Sequence, residues 1–266
     1  MLVLAERRPG CRIPSNEEIE AGSMMSPNGA RKKRIHPSGR LAFRSNVREA
    51  RAENLPLRVA DQDSPLPWAE LVPPGEGPLE LEIGCGKGTF ILEAARNHPE
   101  RRFLGIEAGP PYAAYCADRL ARHGLTNAFM VADDARVFLE DTPPPGAFAR
   151  IHVYYPDPWP KRKHRRRRFF QPETLPALRR ALREDGELLI ATDNTRLFGE
   201  ILATLGESPL FCRSREKELS YGIEIPGTAF GPTNFSKKYR AQGRPSHRAV
   251  FLPAGRSPTK DSEKHD

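Results

Sequence analysis

The sequence predicts an α/β fold: a mostly parallel sheet covered by helices on both faces, with antiparallel strands at its C-terminal edge. Two observations lead there. From Leu79 onward, short apolar runs of strand length alternate with stretches of helical period, the pattern of βαβ units. Each run also ends in glycines, acids or a rigid loop, and in open parallel sheets ligands bind beyond those carboxyl ends.

The elements follow in order. Residues 79–83 (LELEI) form a strand that stops at a glycine-rich turn, and 89–97 form the helix after it. A strand over 102–107 (RFLGIE) leads to a helix over 110–123, opened by Pro110-Pro111, where proline is pre-organised for a first turn. Residues 127–132 (NAFMVA) form the third strand and 150–155 (RIHVYY) the fourth, which ends at Pro156. A helix over 173–184 precedes the strand 187–192 (ELLIAT), and a helix over 195–205 follows it. Residues 209–215 and 247–252 supply the antiparallel edge.

Upstream, residues 1–60 are polar, Arg-rich and interrupted by Pro9, Pro14, Pro27 and Pro37, with no sustained apolar period. They read as a basic, disordered extension, followed by a Pro-rich linker at 64–78. The folded domain spans 61–253 and a flexible tail 254–266.

The 266-residue chain carries 42 Lys+Arg against 34 Asp+Glu, a net charge of +8, but the surplus is local. Residues 61–160 hold 15 acids and 8 bases, whereas 161–168 hold seven Lys/Arg and no acid. An acidic block that ends at a dense basic tract suits a neutral or cationic ligand on one surface and a polyanion on another. No apolar run approaches the roughly 18–20 residues of a membrane span. The opening MLVLAERR is no secretory signal. Cys11, Cys85, Cys116 and Cys212 lie far apart without a CxxC pair, against a disulfide scaffold or structural zinc and in favour of a reducing cytoplasm.

The strand ends carry the chemistry. The first gives Glu82-Ile83-Gly84-Cys85-Gly86-Lys87-Gly88-Thr89, whose glycines allow a tight turn and close approach of a ligand. The second ends in Glu107, where an acid can accept from a ribose diol, and the third in Asp133-Asp134, where an acid can accept from an adenine amino group. A dinucleotide fingerprint fails because Thr89 stands where its third glycine belongs, and Lys87 precedes its glycine, so no P-loop is present. Several carboxylates suit S-adenosylmethionine, which carries an ammonium and a sulfonium and no phosphate; Lys87 is the dissenting residue. The fourth strand leads into Tyr155-Pro156-Asp157-Pro158-Trp159-Pro160, a loop stiffened by three prolines. Lys161-Arg162-Lys163-His164-Arg165-Arg166-Arg167-Arg168 follows at once, placed to hold a phosphate backbone over the site.

These residues resemble the bacterial tRNA (guanine-N7-)-methyltransferases over about 79–252. The most specific match is Asp157-Pro158-Trp159-Pro160-Lys161 with Arg162, His164, Arg167 and Arg168, similar to that family's D-P-W-x-K-x-R-H-x-K-R-R. Glu82-Ile83-Gly84-x-Gly86, Gly105-Ile106-Glu107, Asp134-Ala135 and Thr192-Asp193-Asn194 support it. The resemblance implies a Rossmann-like class I S-adenosylmethionine-dependent methyltransferase acting in the cytoplasm on guanosine 46 of tRNA, with no metal, no membrane and no obligate protein partner. It implies contacts to the methyl donor from Glu82, Gly84, Gly86, Gly88, Glu107, Asp134 and Asp157. It implies contacts to the target nucleoside from Lys161, Asp193 and the segment that starts at Thr233, and RNA contacts from Arg162, His164, Arg165, Arg166, Arg167 and Arg168. Asp157 is the expected catalytic residue: guanine N7 has a free lone pair, so no general base is needed, and a carboxylate can stabilise the charge that appears on the purine.

One departure stands out. The family's late motif reads roughly T-x-[YF]-E-x-[KR], and here it is Thr233-Asn234-Phe235-Ser236-Lys237-Lys238. Ser236 replaces a glutamate suited to the guanine N1/N2 edge. That keeps a methyltransferase for another RNA base or for protein open, beside a non-catalytic RNA-binding protein of this fold.

Overall fold

The computed structural model describes residues 57–59, 67–220, 233, 241–243 and 245–255. Its centre is an eight-stranded sheet: β1 (Leu57–Val59), β2 (Leu79–Ile83), β3 (Arg102–Glu107), β4 (Ala128–Ala132), β5 (Phe148–Tyr154), β6 (Leu182–Thr192), β7 (Phe211–Arg213) and β8 (His247–Pro253). They lie in the order β1-β4-β3-β2-β5-β6-β8-β7. The pairings from β1 to β6 are parallel, and β8 runs antiparallel to both β6 and β7.

The sheet is buried on both faces. All five residues of β2 are buried, the expected state of a central parallel strand. One face packs Leu81, Leu104, Ile106 and Ile151 against α4 (Ala135–Asp141), α5 (Leu175–Ala181) and α6 (Thr195–Gly206), through Phe138, Leu178, Leu197 and Ile201. The other packs Phe103, Met130, Leu189 and Val250 against α2 (Thr89–Asn97) and α3 (Pro110–Arg122), through Phe90, Ile91, Cys116 and Leu120. Truncating a fully buried leucine such as Leu104 or Leu120 would cost roughly 2–5 kcal/mol, a large share of a domain's stability.

Local chemistry sets the helix ends. Asp134 caps α4 by accepting from Arg136 N at 3.0 Å, and Asn194 caps α6 by accepting from Leu197 N at 2.9 Å. Prolines open α3 and α5. The helix expected over 173–184 ends at Ala181, because β6 begins at Leu182, opposite Phe148. The chain then bulges through Arg183–Gly186, where Arg183 pairs with Asp185 at 2.8 Å, and rejoins β5 at Glu187.

Two short elements arise where none was expected. β1 pairs with β4 inside the stretch assigned to the extension. α1 (Trp68–Leu71) lies in the stretch read as a linker and packs Trp68 edge-on to Phe148, with ring centroids 5.8 Å apart. Among the described residues no helix is long and apolar enough to cross a membrane.

A buried polar network runs along β2 and β5, from Arg101 to Tyr154. Glu80 accepts from Arg101 at 2.6 Å and lies 2.9 Å from His152 Nε2, and His152 Nδ1 lies 2.8 Å from the Tyr154 hydroxyl. Burial works against the Glu80 charge, but the His152 hydrogen bond and the charges of His152, Arg150 and Arg101 outweigh it and lower the carboxyl to about 2.

Candidate active site

In this strand order, β2 and β5 are neighbours whose connections leave in opposite directions, and a crevice opens beyond their carboxyl ends. Ile83 is paired with Val153, so the turn after β2 and the Tyr155–Pro160 loop flank that crevice.

The glycine turn is left-handed at Gly84 (φ +76°), Gly86 (φ +54°) and Gly88 (φ +67°). The three differ in surroundings. A Cβ at Gly84 or Gly86 would meet nothing within 4 Å, so both backbones face open space. A Cβ at Gly88 would collide with Cys116 Sγ, so Gly88 also serves close packing where α2 crosses α3. Gly105 on β3 has the same character: a Cβ there would come within 2.7 Å of Cys85 Sγ. Lys87, the residue that dissented from a phosphate-free ligand, is exposed, and its carbonyl accepts from Arg119.

Three acids lie around the crevice, each in a different condition. Glu82 is 6% exposed and its Oε2 has no hydrogen-bond partner among the described residues. Burial raises its carboxyl to about 7, against the opposing hydrogen bonds of the Cys85 thiol and the Ile91 N–H. A buried, unmet carboxylate oxygen is costly in an empty protein and suits a cation. Glu107 accepts from Gly86 N at 2.9 Å and from Gly109 N at 2.8 Å, and so ties the glycine turn to the start of α3. Asp134, expected on an adenine amino group, is the cap of α4 and a bidentate partner of Arg136, at 3.2 Å to Nε and 2.7 Å to Nη2.

The loop after β5 holds two aromatic residues in the left-handed region, Tyr155 (φ +51°) and Trp159 (φ +39°). For bulky side chains this is strained backbone, which persists only where the surroundings over-determine it. Tyr155 N donates to Ala191 O at 2.7 Å. Arg168 donates to Pro158 O at 2.8 Å and to Trp159 O at 3.3 Å. Asp157 is exposed at the mouth of a cleft of about 330 Å³, lined also by Arg165, Phe170, Gln171, Glu200 and Thr204. Partial burial raises its carboxyl above the ordinary value.

The basic tract is a 3-10 helix, Arg162–Arg167, rather than an irregular loop. Lys161, Arg162, Lys163, Arg165 and Arg166 are exposed, as a phosphate-binding surface requires. The Arg167 guanidinium sits 5.0 Å over the Trp159 ring, and His164 meets the same ring edge-on at 5.8 Å. Burial and the charges of Arg167, Lys163, Lys161 and Arg166 lower the His164 pKa, which disfavours its cationic form. Arg168, expected to contact RNA, is 8% exposed and bonded to backbone carbonyls and to Glu200.

Asp193, directly after β6, is partly buried, Thr233 is buried, and Ser236 lies outside the described residues. Glu200 and Arg136 were not anticipated. Glu200 takes its importance from Arg168, 32 residues earlier, and Arg136 from Asp134, whose role as a cap was not foreseen. Among the described residues no group of three or more His, Cys, Asp or Glu is placed to hold a metal ion.

Residues 76–249 match a family described as "Putative methyltransferase". The tRNA (guanine-N(7)-)-methyltransferase of Chlorobium phaeobacteroides is 31% identical over 212 residues, covering 79% of this chain and 96% of that protein. The protein of the same name from Myxococcus xanthus is 36% identical over 202 residues, covering 75% and 95%. That from Rhodopseudomonas palustris BisA53 is 35% identical over 215 residues, covering 79% and 82%.

Proposed function

Since the chain belongs to the tRNA (guanine-N7)-methyltransferase family, we propose that it methylates N7 of guanosine 46 in the variable loop of cytoplasmic tRNA. It is an S-adenosylmethionine-dependent enzyme by that kinship. S-adenosylmethionine supplies an electrophilic methyl group on a cationic sulfur. The residues fit such a donor. Glu82 offers a buried, unmet oxygen to a cation, Gly84 and Gly86 leave open space, and Glu107 stands at the ribose position of this fold.

The observation that best supports the reading is the meeting of two charge regimes at one loop: Asp157 beside the crevice, and the exposed cations of 161–166 directly after it. Guanine N7 needs no proton removed. The chain's tasks are therefore to hold the base in line, exclude water and stabilise positive charge as it moves onto the purine. Asp157 does the last. The exposed cations Arg162, Arg165 and Arg166 hold the RNA backbone, and Lys161 and Asp193 with the segment from Thr233 orient the base.

The test is incubation with labelled S-adenosylmethionine and bulk tRNA, followed by mapping of the modified nucleotide. Label at N7 of guanosine 46 is the expected result. Label at another base, or on protein, would transfer the reading to the alternative that Ser236 leaves open. No label at all would favour an RNA-binding role.

A further inference from the structure

Arg168 is the last residue of a run of cations, yet it makes the contacts of a structural clamp. Its Nε donates to Pro158 O at 2.8 Å and its Nη2 to Trp159 O at 3.3 Å, the carbonyls of the two peptide units that flank the Trp159 Cα. Its Nη1 pairs with Glu200 Oε2 on α6. Glu200 is itself held: Arg196 donates to Oε1 at 3.2 Å and Arg165 stands 3.9 Å away. Three residues before Glu200 and one after it, Leu197 and Ile201 anchor α6 in the core. The backbone gripped in this way is the strained one, with Trp159 at φ +39°, two residues from Asp157. Left alone, an aromatic residue would relax out of that region, and Asp157 would move with it.

We propose that Arg168, braced by Glu200, is a positioning residue for the methyl transfer: it holds the 155–160 loop in its strained form and thereby places Asp157. The guanidinium is suited to this and an ammonium is not, because only a planar fork reaches two successive carbonyls and a carboxylate at once. The inference rests on the reading of Asp157 as the charge-stabilising residue. It separates Arg168 from the exposed arginines next to it, which bind RNA without fixing the loop.

The experiment compares wild type, Arg168→Ala, Arg168→Lys, Glu200→Gln and Arg166→Ala by kcat and KM for tRNA and by tRNA affinity across salt concentrations. In a Trp68→Phe background, which leaves Trp159 as the only tryptophan, acrylamide quenching reads the loop without any need for turnover. Arg168→Ala should lower kcat roughly 10- to 100-fold, the order expected for a misplaced catalytic group. Its KM and salt slope should match wild type, and Trp159 should become more quenchable. Arg168→Lys should fail to restore kcat, and Glu200→Gln should give a smaller loss of the same kind, which keeps the test valid if Arg168→Ala does not fold. Arg166→Ala should show a different profile, a flatter salt slope and a raised KM for tRNA with Trp159 quenching as in wild type. A flattened slope with kcat and quenching unchanged in Arg168→Ala would make it a phosphate contact and overturn the proposal. If wild type methylates no tRNA, the functional reading fails; quenching unchanged in every clamp variant would still refute the clamp independently.

Discussion

The Gly86 N–H donates to Glu107 Oε2 at 2.9 Å, a bond that crosses 21 residues of sequence. The other carboxylate oxygen accepts from Gly109 N at 2.8 Å. A single acid at the end of β3 therefore shapes the glycine turn as well as facing the crevice. Replacing it should harm both. Charge-assisted hydrogen bonds contribute about 1.5–3 kcal/mol each, so Glu107→Ala should weaken S-adenosylmethionine binding roughly 10- to 100-fold by calorimetry. It should also lower the melting temperature, because two backbone donors lose their acceptor. Glu107→Gln retains an acceptor for one of them and should lose less stability than affinity. Unchanged donor affinity in Glu107→Ala would remove this residue from the donor site.

Glu82 makes stability and donor binding respond to pH in opposite directions. Its carboxyl titrates near 7 folded against 4.5 unfolded, so between those values the folded state holds a proton that the unfolded state has released. Stability should therefore fall as pH rises from about 4.5 to about 7, by about 3 kcal/mol from this group alone. Glu82→Gln should abolish that loss. A cationic donor needs the ionised form, so its affinity should rise as pH passes up through 7, with proton release measurable by calorimetry in buffers of different ionisation heat. A pH-independent affinity that matches Glu82→Gln would mean that the donor's positive charge lies elsewhere. Glu80 acts in the other sense: its stabilisation is present above 4.5 and lost as pH falls toward 2.

The glycines of the turn should separate into two kinds. At Gly88, alanine is opposed by φ +67° and by Cys116 Sγ, so Gly88→Ala should destabilise the fold by roughly 1–3 kcal/mol. Adding Cys116→Ala should recover part of that loss. Gly86→Ala meets open space, so it should cost about 1 kcal/mol of backbone strain and express itself mainly as weaker donor binding. Equal effects on melting temperature and on affinity at the two positions would refute the distinction.

The sheet was legible in the sequence because its strands are apolar runs closed by turn residues: 79–83 and 102–107 match β2 and β3 residue for residue. What stayed hidden shares a physical cause. Asp134 carries the same sequence signal whether it meets a ligand or caps a helix, and reading it only as an acid hid the seven-residue α4 behind it. Arg168 is indistinguishable by type from Arg165 and Arg166. Its burial depends on Glu200, 32 residues away, and on two carbonyls ten and nine residues back, which no local pattern encodes. Tyr155 and Trp159 gave no sign of a left-handed backbone, since aromatic residues ordinarily avoid it.

Asp157 and the exposed cations should then fail in different ways when removed. Replacing Arg162, Arg165 and Arg166 together with alanine should weaken tRNA binding and reduce the steepness of its salt dependence by about 0.7–0.9 for each phosphate that the protein ceases to neutralise. Turnover at saturating tRNA should stay close to wild type. Asp157→Ala should do the reverse, removing methyl transfer while tRNA affinity stays within a few-fold. Its carboxyl is held above the ordinary value by burial, so kcat should fall as pH drops through a midpoint higher than that of a free aspartate. Asp157→Asn keeps the shape of the side chain and loses the charge; its low rate should no longer vary with pH in that window. If Asp157→Asn retained full turnover, the charge would have no part in the reaction, and the strained loop would serve only to shape the cleft.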